Sequence, residues 1–122
     1  MVHIISTKAL LDFCIRHAQY IEGVKAWITI VESSNWEKPA DIIETFGPKA
    51  IDLLGKKNNK VGTLSSKRVV FDIKGNNIRV IAKYQFHEKL TSPRLYIKWI
   101  GTHAEYTKLC SSNSQFDIDL FG

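Results

Sequence analysis

The spacing of the hydrophobic residues changes about midway along the chain. In the first part they recur every three or four residues, which predicts helices over about 7 to 18, over 20 to 33 and from Ala40 to Phe46. The short apolar run Val2 to Ile5 precedes them and is typical of an edge strand. We therefore expect one strand followed by three helices in the first part of the chain.

After residue 50 the hydrophobic positions alternate with polar ones or form short runs, as in β-strands. Gly75-Asn76-Asn77 has the composition of a tight hairpin turn. Gly101 should end the last strand, and Thr102 should cap a helix that runs through Leu109. The strands are predicted at Ile51 to Leu54, Arg68 to Ile73, Ile78 to Phe86 and Arg94 to Ile100.

This order of elements predicts an α+β fold, in which an N-terminal strand and helices pack on a small antiparallel β-sheet with a short C-terminal helix. A chain of 122 residues, 44% of them hydrophobic, suits one hydrophobic core, so we expect a single domain over residues 1 to 122. The segment 55 to 66 is polar and should form a surface loop. The tail after Leu109 is polar apart from a small apolar set, Phe116, Ile118, Leu120 and Phe121.

Positive charge is concentrated in the second part of the chain. The protein carries 17 basic and 12 acidic side chains, a formal charge of +5 and a pI of about 9.3. Residues 49 to 108 hold thirteen basic and four acidic side chains, whereas residues 1 to 48 and 109 to 122 each have a net charge of −2. This distribution points to a polyanionic partner.

The cysteines and the N-terminal residues indicate in which cellular compartment the protein is expected. Cys14 and Cys110 lack CxxC spacing and suit a reducing cytoplasm. Lys8 and Asp12 interrupt the N-terminal apolar residues, so we expect neither a signal peptide nor a membrane span. We therefore expect a cytoplasmic protein that does not bind membranes.

Two stretches of the second part carry a family resemblance. They are Arg68-Val-Val-Phe-Asp-Ile-Lys-Gly-Asn-Asn-Ile-Arg79-Val-Ile-Ala82 and Tyr96-Ile-Lys-Trp-Ile-Gly-Thr-His-Ala-Glu-Tyr106, and Gly-Thr-His-Ala-Glu-Tyr is the most specific piece. With them, the chain resembles the HigB toxins of the RelE-like superfamily over about residues 2 to 109. The tail at 110 to 122 lies outside the resemblance.

The resemblance implies an activity and partners. It implies the toxin of a type II toxin–antitoxin system, a metal-independent endoribonuclease that cleaves mRNA during translation in the ribosomal A site. It also implies a helix-turn-helix antitoxin of the HigA type as partner and no small-molecule cofactor. The alternatives are a non-catalytic RNA- or ribosome-binding domain on the same fold, and a domain that only docks an acidic antitoxin. The first alternative arises because this chain has Asp72 on the strand where RelE carries lysines.

Three residues are candidates for catalysis. By resemblance, Arg79 matches the arginine that holds the scissile phosphate, and a guanidinium can bind two phosphate oxygens at once. His103 is the first candidate for general acid or base, since imidazole exchanges protons near neutral pH. Tyr106 lies on the same helix face and could stack on a base or, with its pKa lowered by neighbouring cations, share the proton transfer. Their structural alternatives are a surface arginine, a helix-capping histidine and a half-buried aromatic.

The other basic residues form two groups. Lys83 and Lys98 alternate with apolar residues on neighbouring strands and, with Arg79, could form one cationic face. Solvated lysines are the simpler alternative. Trp27, Trp36 and Trp99 are expected in the core, and the histidines lack metal-ligand spacing, so no metal site is expected. A looser patch suited to RNA phosphates comprises Lys56, Lys57, Lys60, Lys67 and Arg68.

Overall fold

The computed structural model describes residues 1–55, 66–73, 77–86 and 92–121. Within these residues the chain forms five strands, four α-helices and two short 3-10 turns, at Ala18–Tyr20 and Ser114–Phe116. The strands are β1 His3–Ile5, β2 Ile51–Leu54, β3 Arg68–Ile73, β4 Ile78–Gln85 and β5 Arg94–Thr102. The α-helices are α1 Thr7–Arg16, α2 Ile21–Ser33, α3 Pro39–Phe46 and α4 His103–Ser111.

The predicted strands and helices all occur, and several boundaries differ by one or two residues. Two of these differences have a clear structural cause. The first helix ends at Arg16, because His17 leaves the helical conformation and its ring stacks on Phe13 at 4.3 Å. Strand β5 does not end at Gly101: it continues to Thr102, since Gly101 and Thr102 still pair with Arg79 and Ile78 of β4. The predicted hairpin turn and the 55 to 66 loop fall largely outside the described residues.

The five strands form one sheet in the order β1-β5-β4-β3-β2. Strands β2 to β5 are antiparallel, as expected, but the edge strand β1 runs parallel to β5, so the sheet is mixed. No hairpin fixes the direction of β1, because most of the chain separates it from β5. The α+β prediction is confirmed with this one difference.

Helices α1, α2 and α3 cover the first face of the sheet, which carries Val69, Phe71 and Val80. Phe71 is fully buried, and its ring lies 4.9 Å from that of Trp27 and 5.5 Å from that of Phe46. Each of the three tryptophans is at most 7% exposed, which confirms that they belong to the core. This face is a continuous apolar layer of rings and branched side chains.

The opposite face, here called the second face, carries Val70, Ile81 and Trp99 and is covered by α4 and by the tail, residues 112 to 121. Tyr106 and Leu109 of α4 and then Phe116 and Ile118 of the tail pack on these side chains. None of the helices in the described ranges has the length and apolar character needed to cross a bilayer. Three predicted site residues, Arg68, Arg79 and Tyr106, lie on this face.

Candidate active site and RNA-binding surface

Arg79 lies in the middle of the sheet, between Asp72 of β3 and Gly101 of β5. Its Nε donates to Asp72 Oδ1 at 2.7 Å, and its guanidinium carbon lies 5.5 Å from the centre of the Tyr106 ring. The residue is only 9% exposed, so it is not a solvated surface arginine. The sheet therefore holds this cation in one orientation, between a carboxylate and a phenol ring.

Gly101 makes room for the rings beside Arg79. A Cβ atom at this position would lie 2.5 Å from the ring of Trp99 and 3.0 Å from Oε1 of Glu105. Because glycine has no side chain, the Trp99 ring can lie over β5, and the Tyr106 ring sits 6.1 Å from it. The glycine of the Gly-Thr-His-Ala-Glu-Tyr motif thus positions the aromatic wall of the site.

A capping box fixes the start of α4. Thr102 Oγ1 accepts a hydrogen bond from the Glu105 backbone N–H at 3.2 Å, and Glu105 Oε1 accepts one from the Thr102 N–H at 2.7 Å. The His103 N–H also donates to the carbonyl of Asn77 at 3.0 Å, which ties the helix to the start of β4. His103 is therefore exposed on a fixed backbone, and Thr102, rather than His103, caps the helix.

Asp72 is the charged group that links these residues. Burial raises the pKa of the Asp72 carboxyl; Arg79 and His103 both lower it, and Asp52 on β2 raises it further. The carboxyl therefore lies within electrostatic reach of both Arg79 and His103. Sequence reasoning noted Asp72 only as a departure from RelE. The pairing of Asp72 with Arg79 follows from the register of β3 with β4, which the predicted three-residue turn does not give, because residue 72 lies three positions before that turn and residue 79 two positions after it.

Tyr106 does not behave as expected from its cationic neighbours. Burial, together with a hydrogen bond to Cys110, raises the pKa of the Tyr106 phenol, and the opposing effect of Arg79 is smaller. The expectation that nearby cations lower this pKa was wrong, because desolvation under α4 outweighs them. The phenol therefore stays protonated at neutral pH and has a proton to donate.

The predicted RNA-binding residues divide into three sets. Lys67, Lys83 and Lys98 line one cavity of about 400 Å³, together with Tyr84, Gln85 and Tyr96. Arg68 is buried elsewhere and donates to two backbone carbonyls of the tail. The remaining three, Lys56, Lys57 and Lys60, lie outside the described residues.

The structure does not place Arg79 in the lysine cavity. Arg79 and Lys83 share the second face, but Ile81 lies between them and is fully buried under α4 and the tail. Lys98 reaches this face at an irregularity in the pairing of β4 with β5, at Ile81 and Ala82, which a strict alternation along β5 does not anticipate. The second face therefore has two polar regions, one around Arg79 and one around the lysines. The apolar residues Val70, Ile81 and Trp99, here called the apolar bridge, separate them.

The described residues include no group of three or more His, Cys, Asp or Glu side chains that could hold a metal ion.

Arg79, His103 and Tyr106 all fall in the part of the chain that matches a known family. The family model of the HigB toxin, the RelE-like toxic component of a toxin–antitoxin system, matches residues 21–109.

The chain belongs to the HigB toxin family. Membership implies an antitoxin as partner. The matched range of this HigB family member starts at α2 and ends within α4, so β1, α1 and the tail lie outside it. No curated protein matches the chain.

Proposed function

We propose that this HigB family member is a metal-independent endoribonuclease that cleaves mRNA on the translating ribosome. The observation that supports the proposal most directly is the cluster on the second face, where the buried Arg79 guanidinium pairs with the Asp72 carboxyl and lies against the Tyr106 ring, and the exposed His103 acts electrostatically on the same carboxyl. Its parts match what RNA cleavage needs, namely fixed positive charge, a proton donor and a proton acceptor.

The chemistry uses the nucleophile that RNA carries. A base removes the proton of the 2′-hydroxyl, the 2′-oxygen attacks the phosphorus, and the bond from phosphorus to the 5′-oxygen breaks as an acid protonates that oxygen. Arg79 would stabilise the charge that develops on the phosphate oxygens. His103 would act as the base, because it is exposed. Tyr106 is the candidate acid, because its ring lies beside Arg79 and its phenol is protonated at neutral pH. Its raised pKa makes it a weak acid, and the charge of Arg79 offsets part of that rise.

A second candidate function has a specific observation in its favour. The Nε of Arg79 already binds Asp72, and the strand that carries lysines in RelE has no lysine within Arg68–Ile73. A domain with this arrangement that binds RNA or ribosomes without cutting is the alternative, with the same cytoplasmic location and the same HigA-type antitoxin as partner. Cleavage assays separate the two functions.

The test uses purified protein in a translation reaction, with the ends of the message mapped and ribosome binding measured in parallel. We expect the wild type to cut the message and His103→Ala to lose about 10²-fold or more in rate while still binding ribosomes. His3→Ala is the matched control, because His3 is an exposed histidine on β1, away from the cluster. Ribosome binding without cutting by the wild type would instead establish the binding domain.

A further inference from the structure

The tail follows a path that places its polar groups on predicted RNA-binding cations. After α4 the chain turns at Asn113, which has a left-handed φ of 57°, and returns across the second face. Phe116 and Ile118 pack on the apolar bridge, and the Leu120 N–H donates to the carbonyl of Lys98 at 3.0 Å, at β5. The tail thus crosses the sheet from the Arg68 side to the Lys98 side.

The tail holds the guanidinium of Arg68. Its Nη1 donates to the carbonyl of Gln115 at 3.2 Å and to that of Ile118 at 2.8 Å. Burial lowers the pKa of the guanidinium, and the carboxylates of Asp117 and Asp119 act in the opposite direction, which means that both lie near it. The oxygen atoms around this arginine are therefore of the kind that a phosphate group would supply.

Lys98 has a carboxylate from the tail as its partner. Its Nζ lies 3.1 Å from Asp119 Oδ2 and 5.8 Å from the centre of the Tyr96 ring, at the wall of the lysine cavity. An anion that enters this cavity and contacts Lys98 would meet the Asp119 carboxylate. Asp119 therefore competes directly with a phosphate for the same ammonium group.

The tail also blocks the route between the two polar regions. Arg79 and Lys83 are four residues apart on β4, which separates their Cα atoms by about 13 Å along the strand. The side chain between them, Ile81, is covered by α4 and the tail. A single RNA strand that contacts both regions along β4 has to pass where the tail now lies.

The polar contacts that hold the tail can be replaced by contacts to a phosphate group. The Asp119 side chain is 42% exposed, so its ion pair with Lys98 is only partly shielded from water. Among the residues that the structure describes, the buried Oε1 of Gln115 has no hydrogen-bond donor, which weakens the fit of the tail. A phosphate is a stronger partner for Arg68 and Lys98 than backbone carbonyls and one carboxylate.

We propose that residues 114 to 121 form an autoinhibitory strap, which occupies phosphate positions on Arg68 and Lys98 and is displaced when RNA binds the second face. This inference rests on the proposed function and adds its regulation. The strap lies outside the range that matches the family model. Displacement uncovers the part of the apolar bridge on which Phe116 and Ile118 now pack, while Tyr106 and Leu109 of α4 stay in place. The uncovered part is open to contact with bases.

The test measures the affinity of a short fluorescent single-stranded RNA for three forms of the full chain. Asp117→Asn/Asp119→Asn removes the charges of the strap and keeps its apolar contacts, so the fold is preserved. Glu37→Gln/Glu44→Gln removes the same number of charges from exposed positions outside the second face. We expect the strap variant to bind RNA about three- to tenfold more tightly than the wild type, and more tightly than this charge-matched control.

A second measurement needs no substitution. In the wild type, saturating RNA should move the Leu120 amide resonance toward the position of an unstructured leucine, because its hydrogen bond to Lys98 breaks. Equal affinities of the strap variant and the control, or an unmoved Leu120 amide in the RNA complex, would overturn the strap and leave the proposed function intact. If none of the forms binds RNA or cuts message on ribosomes, the proposed function fails and the strap fails with it.

Discussion

The two faces of the sheet are buried in different ways. Aromatic rings and branched side chains cover the first face, where Phe71 and Val80 have no exposed surface. The second face buries Arg68, Arg79 and Lys98 beside its apolar cluster. Buried charge is costly unless it is paired, and each of these cations has partners on β3, α4 or the tail. The comparison indicates that the first face is built mainly for stability, whereas the second face holds the groups that the proposed function uses.

The largest effect on stability should come from the first face. Phe71→Ala should lower the free energy of unfolding by about 3–5 kcal/mol, because it leaves a cavity among the rings of Trp27, Trp36 and Phe46. Denaturant unfolding measures the loss. Ile15→Ala is the control, since Ile15 is 78% exposed and should change stability by less than about 0.5 kcal/mol. A small loss for Phe71→Ala would contradict this view of the first face.

Among substitutions on the second face, the largest effect should be a loss of mRNA cleavage. Arg79→Lys keeps the charge but loses the fork of the guanidinium, so mRNA cleavage should fall about 10²-fold. Arg16→Lys, the same change at an exposed position of α1, should leave cleavage unchanged. Rates measured on translating ribosomes test this, and equal rates for the two variants would remove Arg79 from the mechanism.

The start of α4 should have an intermediate effect on stability. Thr102→Ala removes the side chain that accepts from the Glu105 N–H and should cost about 1 kcal/mol of unfolding free energy. Thr107→Ala is the control within the same helix. The Thr107 hydroxyl donates a hydrogen bond to the His103 carbonyl, a contact inside the helix that contributes little to its stability. Thermal unfolding of the two variants should separate them by several degrees. Identical melting temperatures would show that the capping box does not hold the helix.

The smallest effect should be the dependence of stability on pH through Asp72. Its pKa in the fold lies above the ordinary value of 3.8, so its contribution to stability is fully present below pH 3.8 and is lost as the pH rises through the raised pKa. Asp72→Asn lacks this titration. The stability of the variant relative to the wild type should therefore increase as the pH rises from 3.8 toward neutrality. Unfolding curves over that range measure the difference, and a difference of opposite sign would show that the pair with Arg79 outweighs burial.

The same Asp72→Asn variant separates stability from function. It should cleave mRNA more slowly than the wild type at neutral pH even where it unfolds no more easily, because Arg79 loses the carboxylate that orients it. Asp41→Asn is not a suitable control, since Asp41 accepts two backbone N–H groups at the start of α3. Asp12→Asn, in an exposed pair with Lys8, is the better one.

The sequence by itself determined the local structure of this protein. Alternation predicted β3, β4 and β5, the spacing of Leu10, Cys14 and Val24 predicted helices, and Thr102 predicted the cap of the last helix. These features depend on residues that are close together in the chain, so they can be predicted from a single sequence. The family resemblance, which the matching model confirms, also rested on short local motifs.

Only the tertiary structure decided which charged groups share a surface. The parallel pairing of β1 with β5, the position of Lys98 at the irregular pairing, the raised pKa of Tyr106 and the contacts of Arg68 with the tail all join residues that are distant in the chain. Such contacts depend on strand register, burial and the path of the tail, and none of these is encoded in a local pattern. The tail looked like a polar extension in the sequence, but packing on Trp99 and pairing with Lys98 make it part of the second face.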